Sequence, residues 1–162
     1  MKKLLLILAL AVMCSSVARA EHFDDIADGM EAYLKEDYAT ALKLWGPLAE
    51  RDVMIQFLLG MLYATGLGIK QNHQEAVEWH RIEAEQGIAF SQVRLGMLYF
   101  FGNSLIRDSV RGYMWVSLGA SNGDENGNKV KDIMAKEMTP AQISKAQDMA
   151  RDCLKKSYKN CY

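Results

Sequence analysis

The stretch Leu59-Gly60-Met61-Leu62-Tyr63-Ala64-Thr65-Gly66-Leu67-Gly68-Ile69 returns 36 residues later as Leu95-Gly96-Met97-Leu98-Tyr99-Phe100-Phe101-Gly102. Laying Ile55–Gly87 over Ser91–Gly123 needs no gap, and ten positions coincide. Among them are Gln56/Gln92, Trp79/Trp115, Ala84/Ala120 and Gly87/Gly123. Self-similarity at a fixed period of this length marks a repeat array, whose units bury their apolar faces against neighbours. An earlier partial copy, Ala41–Asp52, fits over Ala76–Gly87 at an offset of 35, with Ala49/Ala84 and Glu50/Glu85 identical. The end of the chain lacks the signature.

Apolar residues recur three and four apart, as in Phe57, Leu58, Met61 and Leu62, so the units read as helices. Each unit reads as two antiparallel ones. Gly60 and Gly96 each cost about 1 kcal/mol inside a helix relative to alanine. Their repetition predicts a neighbouring helix backbone passing close by. Gly66 and Gly68 end helix A, because glycine takes the left-handed conformation without strain. Asn72-x-x-Glu75 caps helix B, and Asp108 is the corresponding cap in the second copy. Helix B carries the tryptophan and a small residue, then stops at Gly87 or Gly123. Thr139-Pro140-Ala141-Gln142 starts a last helix, expected over Pro140–Lys155. Pro47 falls inside the first helix B and predicts a kink at Gly46-Pro47. The expected pairs are residues 22–52, 53–87, 88–123 and 124–157 of one all-α domain, residues 21–162.

Met1–Ala20 reads as a secretory signal: Lys2 and Lys3, an unbroken apolar run Leu4–Met13, and Ala18-Arg19-Ala20 before the cleavage point. That predicts a periplasmic or secreted protein without a stable membrane anchor. The alternatives are a retained anchor, for which the run is short, and a lipoprotein through Cys14. Met13 stands before Cys14, where a lipidation signal needs a small residue. Cleavage after Ala20 leaves 16 basic and 20 acidic side chains, a net charge of −4. A mildly acidic exported chain is a poor nucleic-acid binder. Acids crowd Glu21–Thr40 and bases crowd Lys145–Tyr162, which solvated helix faces explain.

Two cysteines survive cleavage, Cys153 and Cys161, and an even count in an exported chain favours a disulfide. On one continuous helix their Cα atoms would stand about 12 Å apart, against the roughly 4.4–6.8 Å a disulfide needs. The chain therefore has to turn back after about Lys156. No Cys-x-x-Cys supports a redox role.

The mature chain holds no Ser-x-x-Lys and no phosphate-binding glycine loop, so no catalytic residue and no cofactor site is assigned. His73 and His80 are seven apart, about 10.5 Å along a helix, too far for one metal ion at about 2.1 Å per ligand. His22, His73 and His80 read as solvated, and no metal site is assigned. Trp45, Trp79 and Trp115 recur at nearly the repeat spacing and read as core, over a sugar-stacking platform.

The motif Leu59–Ile69, with Glu75-Ala76-Val77-Glu78-Trp79 and Ala84-Glu85-Gln86-Gly87, resembles the Sel1-like repeat family. The likeness covers about Gly29 to Arg151. Met138-Thr139-Pro140-Ala141-Gln142-Ile143 is similar to the closing helix of small exported bacterial members. The resemblance implies an α/α solenoid related to tetratricopeptide arrays and a role in protein–protein interaction. The second copy departs from the pattern at Ser104 and Gly112, so the loop Gly102–Arg107 is expected to differ in shape. Some exported members bind penicillin-like compounds or are weak β-lactamases, but they carry cysteine pairs in each repeat, and here cysteines stand only at the end.

Helix A lines the concave face in such superhelices. Leu58, Met61 and Thr65 fall on one stripe, matched by Arg94, Met97 and Phe101 one repeat later. Phe100 and Phe101 cannot both face the core easily. These seven residues form the candidate surface for a protein or peptide partner, since arginine, methionine and aromatics are enriched in interface cores. The alternative is that Phe100 or Phe101 covers the terminal helix pair. The functional expectation is a cell-envelope interaction module. Its alternatives are a small hydrolase or β-lactam-binding protein and a structural envelope scaffold.

Overall fold

The computed structural model describes residues 23–102 and 107–161. The expected signal Met1–Ala20, with Cys14, and the Ser104 loop lie outside the described residues. Among the described residues there are eight α-helices, one 3₁₀ turn and no strand. The protein is all-α, built of adjacent helix pairs, an α/α solenoid architecture. The chain divides within the first turn of one helix into two compact units, one ending at Ile55 and one beginning at Gln56.

The first unit holds α1, over residues 23–34, and α2, Tyr38–Trp45. Asp37 caps α2 by accepting the Thr40 N–H at 3.2 Å, and hydrogen bonding from the Thr40 side chain, then from that N–H, holds the Asp37 carboxyl below its ordinary range. The α-helix stops at Trp45, and Gly46–Leu48 form one 3₁₀ turn. Pro47 therefore ends α2 rather than kinking it, as a residue without an N–H to donate would. Trp45 is fully buried over Gly29, where a Cβ would collide with the indole ring.

The second unit continues α3, Val53–Thr65, into α4, His73–Ala84, then α5, Ala89–Phe101, and α6, Ser109–Ser121. Gly66 and Gly68 follow α3 with φ of +77° and +72°, the left-handed turn expected of them. Asn72 caps α4, accepting from the N–H groups of Gln74 and Glu75, and Asp108 caps α6, accepting from Arg111 at 2.9 Å. α5 and α6 touch backbone to backbone. A Cβ on Gly96 would lie 2.6 Å from the Gly112 carbonyl oxygen, and one on Gly112 would lie 2.8 Å from that of Gly96. Gly60 differs from expectation: its close neighbour is the His80 ring, 2.8 Å from a Cβ there, not a helix backbone.

α7, Gly127–Ala135, and α8, Pro140–Lys155, cover α6. Thr139 and Gln142 form the reciprocal capping box, and α8 has the bounds the sequence predicts. The core around α6 joins Leu95, Phe100, Met114, Trp115, Leu118 and Met134. After Lys155 the chain turns back through left-handed Ser157, Tyr158 and Asn160, and Cys153 bonds Cys161 across a Cα separation of 5.2 Å. The Tyr158 hydroxyl donates to Asn122 Oδ1 at 3.0 Å, Asn122 Nδ2 donates to Gln92 Oε1 at 2.8 Å, and Gln92 Nε2 donates to the Ala84 carbonyl at 3.0 Å. The disulfide thus holds a tail that is hydrogen-bonded back into the repeats.

Candidate partner-binding cleft

Helices α3 and α5 carry the repeated motif, and a cleft of about 230 Å³ opens between them. α3 contributes Met61, Ala64 and Thr65 to its lining. α5 contributes Arg94, Met97, Leu98 and Phe101, and α4 adds His73 and His80. Five of the seven residues predicted from the stripe therefore meet in one place. Leu58 is half-buried and outside the lining. Phe100 drops out: it is 1% exposed and packs in the core around α6, while Phe101 is 52% exposed. Adjacent helical positions point about 100° apart, which sends one ring inward and leaves the other at the cleft. Their centroids are 4.8 Å apart, edge to face, so the buried ring supports the exposed one.

The lining is mostly apolar, with a few polar groups. The Thr65 hydroxyl donates to the Met61 carbonyl at 2.8 Å, which leaves its lone pairs rather than its proton for other contacts. The Arg94 guanidinium lies 5.1 Å from the Phe90 ring centroid, a cation–π distance. The other described arginines from Gln56 onward, Arg81, Arg107, Arg111 and Arg151, each have a carboxylate within 4.0 Å. Arg94 has none among the described residues.

His80 was expected to be solvated and is instead 1% exposed. Its Nδ1 faces Glu83 Oε2 at 3.5 Å, and the Ser91 hydroxyl donates to the same oxygen at 2.5 Å. Glu83 is fully buried. A desolvated carboxylate is costly unless charge or hydrogen bonds compensate it; among the described residues the Ser91 hydroxyl is its hydrogen bond, the His80 ring stands beside it, and Glu83 Oε1 has no partner. One signal pointed here: Ala76, Val77, His80, Glu83 and Ala84 fall at helical spacing on one face, and all are buried. His73 is half-buried, its Nδ1 without a hydrogen-bond partner among the described residues.

The tryptophans are not equivalent. Trp115 is in the core, but Trp79 is only half-buried, its indole N–H enclosed without a partner among the described residues. Trp45 packs over Gly29 as His80 packs over Gly60 and Val116 over Gly96. Trp45 therefore occupies the His80 position of its unit, one residue out of register with Trp79. No helix among the described residues is long and apolar enough to cross a membrane.

The Sel1 repeat family model matches residues 55–88 and 89–124, the α3–α4 and α5–α6 pairs. A protective antigen present in uropathogenic Escherichia coli strains, whose crystal structure displays an SLR fold, superposes with a TM-score of 0.74 at 25% identity. That match covers 90% of this chain and 32% of the antigen. A Sel1 repeat protein from Oxalobacter formigenes superposes with a TM-score of 0.57 at 30% identity, over 65% of this chain and 43% of that one. A putative sel1-like repeat-containing protein of Acanthamoeba polyphaga mimivirus is 40% identical over 49 residues, 30% of this chain and 9% of the viral protein. The chain thus spans about a third of the antigen and under a tenth of the viral protein. Proteins of this repeat type are typically protein–protein interaction modules and generally non-enzymatic scaffolds.

Proposed function

We propose that this chain, which carries two consecutive Sel1 repeats, is an exported module that binds a protein or peptide partner in the cell envelope through the cleft between α3 and α5. The observation that carries this reading is the cleft itself. It joins equivalent positions of two consecutive repeats, Met61/Met97 and Thr65/Phe101, with Arg94 beside them. Apolar lining with few, placed polar groups is the composition of a recognition site. At about 230 Å³ the cleft is smaller than the roughly 300–1,000 Å³ of small-molecule sites. It suits a single side chain of a larger partner. The basic start and apolar run of Met1–Ala20 and the Cys153–Cys161 bridge support export, because disulfides persist in oxidising compartments. The hydrolase alternative finds little support in Ser91, whose hydroxyl is buried and turned to Glu83 rather than presented to the cleft.

The test is a crosslinking pull-down from the native envelope with residues 21–162 as bait, beside an Arg94→Glu/Phe101→Asp variant of equal helicity. A partner captured by the wild type and lost by the variant is the expected result. A partner retained equally moves the site off this face, and the absence of any specific partner contradicts the interaction role.

A further inference from the structure

We propose that the occupant of the cleft is an acidic, apolar peptide segment: a leucine, methionine or phenylalanine side chain seated between α3 and α5, with a neighbouring aspartate or glutamate carboxylate on Arg94. This deepens the preceding reading and rests on it.

The charge argument comes first. Among the described residues no carboxylate lines the cleft, and its formal charge is the Arg94 guanidinium. The buried acid among the described residues, Glu83, stands beside His80 and accepts from the Ser91 hydroxyl. Four of the five described arginines from Gln56 onward have a carboxylate in reach, and Arg94 is the exception among the described residues. A planar, weakly hydrated guanidinium with its donors free matches a carboxylate in a bidentate geometry. The Phe90 ring under Arg94 holds the fork without consuming those donors.

The apolar part follows from what surrounds that cation. Met61, Met97 and Leu98 are flexible or aliphatic, and methionine lining adapts to more than one apolar guest. Phe101 is half-exposed at the rim and backed by Phe100, a preformed aromatic wall. The two histidines add hydrogen-bonding edges but no acid, so among the described residues the cleft offers a basic partner no carboxylate to pair with. An acid next to an apolar residue uses both the charge and the pocket, which a purely apolar segment does not.

The experiment is selection of a random dodecapeptide display library on purified residues 21–162, run in parallel on Arg94→Glu, Arg94→Gln and Phe101→Asp, each checked for wild-type helicity. The wild type should enrich peptides with aspartate or glutamate beside leucine, methionine or phenylalanine. Arg94→Glu should weaken a synthetic copy of the winning peptide about 10- to 100-fold and shift its own selection to lysine or arginine. Arg94→Gln should keep the apolar residue and lose the acidic one. Enrichment of charge-indifferent apolar peptides that Phe101→Asp abolishes would overturn the acidic preference and leave the partner face standing. An unchanged acidic motif on Arg94→Glu would also overturn the inference. A wild type that enriches nothing on this face would overturn both readings.

Discussion

The α3–α4 and α5–α6 pairs share a motif, a length and a period, yet their interiors are built differently. In α5–α6 two glycines face each other, and Val116 packs over Gly96. In α3–α4 the position of Val116 is His80, and the position of Gly119 is Glu83, so a polar pair occupies the space that backbone contact fills one repeat later. The shared residues build the scaffold, and the residues that differ make one repeat distinctive. The same holds at the cleft, where Thr65 on one repeat meets Phe101 on the next and Leu58 corresponds to Arg94.

The largest expected effect breaks the comparison at its polar end. His80→Val leaves Glu83 with the Ser91 hydroxyl alone and removes the ring packed over Gly60, and should cost about 3–4 kcal/mol from the under-satisfied buried carboxylate and the lost packing together. His80→Val/Glu83→Gln, which moves the first repeat toward the second, should recover most of it. Urea denaturation of the three proteins measures this. Additive losses in the double variant would contradict the coupling.

The C-terminal tail binds the repeats unequally, since Tyr158 bonds Asn122 of the second and stands over Gly87 at the end of the first. Opening the Cys153–Cys161 loop by a double serine variant should cost about 2–3 kcal/mol in the chain-entropy model, read as a lower midpoint. An unchanged midpoint would mean that the tail is held by Tyr158 and its neighbours alone.

The glycines sharpen the contrast further. Gly96→Ala overpacks a backbone contact and should cost about 1–3 kcal/mol, even with Val116→Ala beside it, because the Gly112 carbonyl remains. Gly60→Ala meets a side chain instead. Its cost should vanish in a His80→Ala/Glu83→Gln background, where alanine's better helix propensity contributes about 1 kcal/mol. Equal behaviour of the two glycines in thermal melts would contradict the distinction. The smallest effect tests what the repeats share. Asn72→Ala and Asp108→Ala each remove an N-cap and should each lower stability by about 1 kcal/mol, within error of one another.

The period, the cap residues Asn72, Asp108 and Thr139, the glycine helix ends and the return of the tail to Cys153 were legible because each is local chemistry. A cap, a left-handed turn or a disulfide distance constrains few residues and shows in spacing. The stripe was legible too, since Met61, Thr65, Arg94, Met97 and Phe101 follow helical geometry. What spacing could not reveal was which neighbour fills a hole. Gly60 and Gly96 look alike in the chain, but their partners sit on the other helix of each pair, 20 residues on, at positions where His80 and Val116 differ. Trp79 departs from the core expectation for a related reason: it stands one residue out of register with the fully buried Trp45, and such a shift changes the face a helical residue presents. Phe100 and Phe101 could be separated only once α6, α7 and α8 were in place to cover one of them.

The central claim is that partner contact occurs at the cleft between the two repeats. A photoactivatable phenylalanine analogue placed at Phe101, and in a second protein at Ile133, tests it most directly, because both positions are 52% exposed and lie on α5 and α7 respectively. Irradiation in the native envelope should give a discrete adduct from position 101 that Arg94→Glu diminishes, and none from position 133. Equal adducts from both positions, or an adduct from position 133 alone, would contradict the assignment.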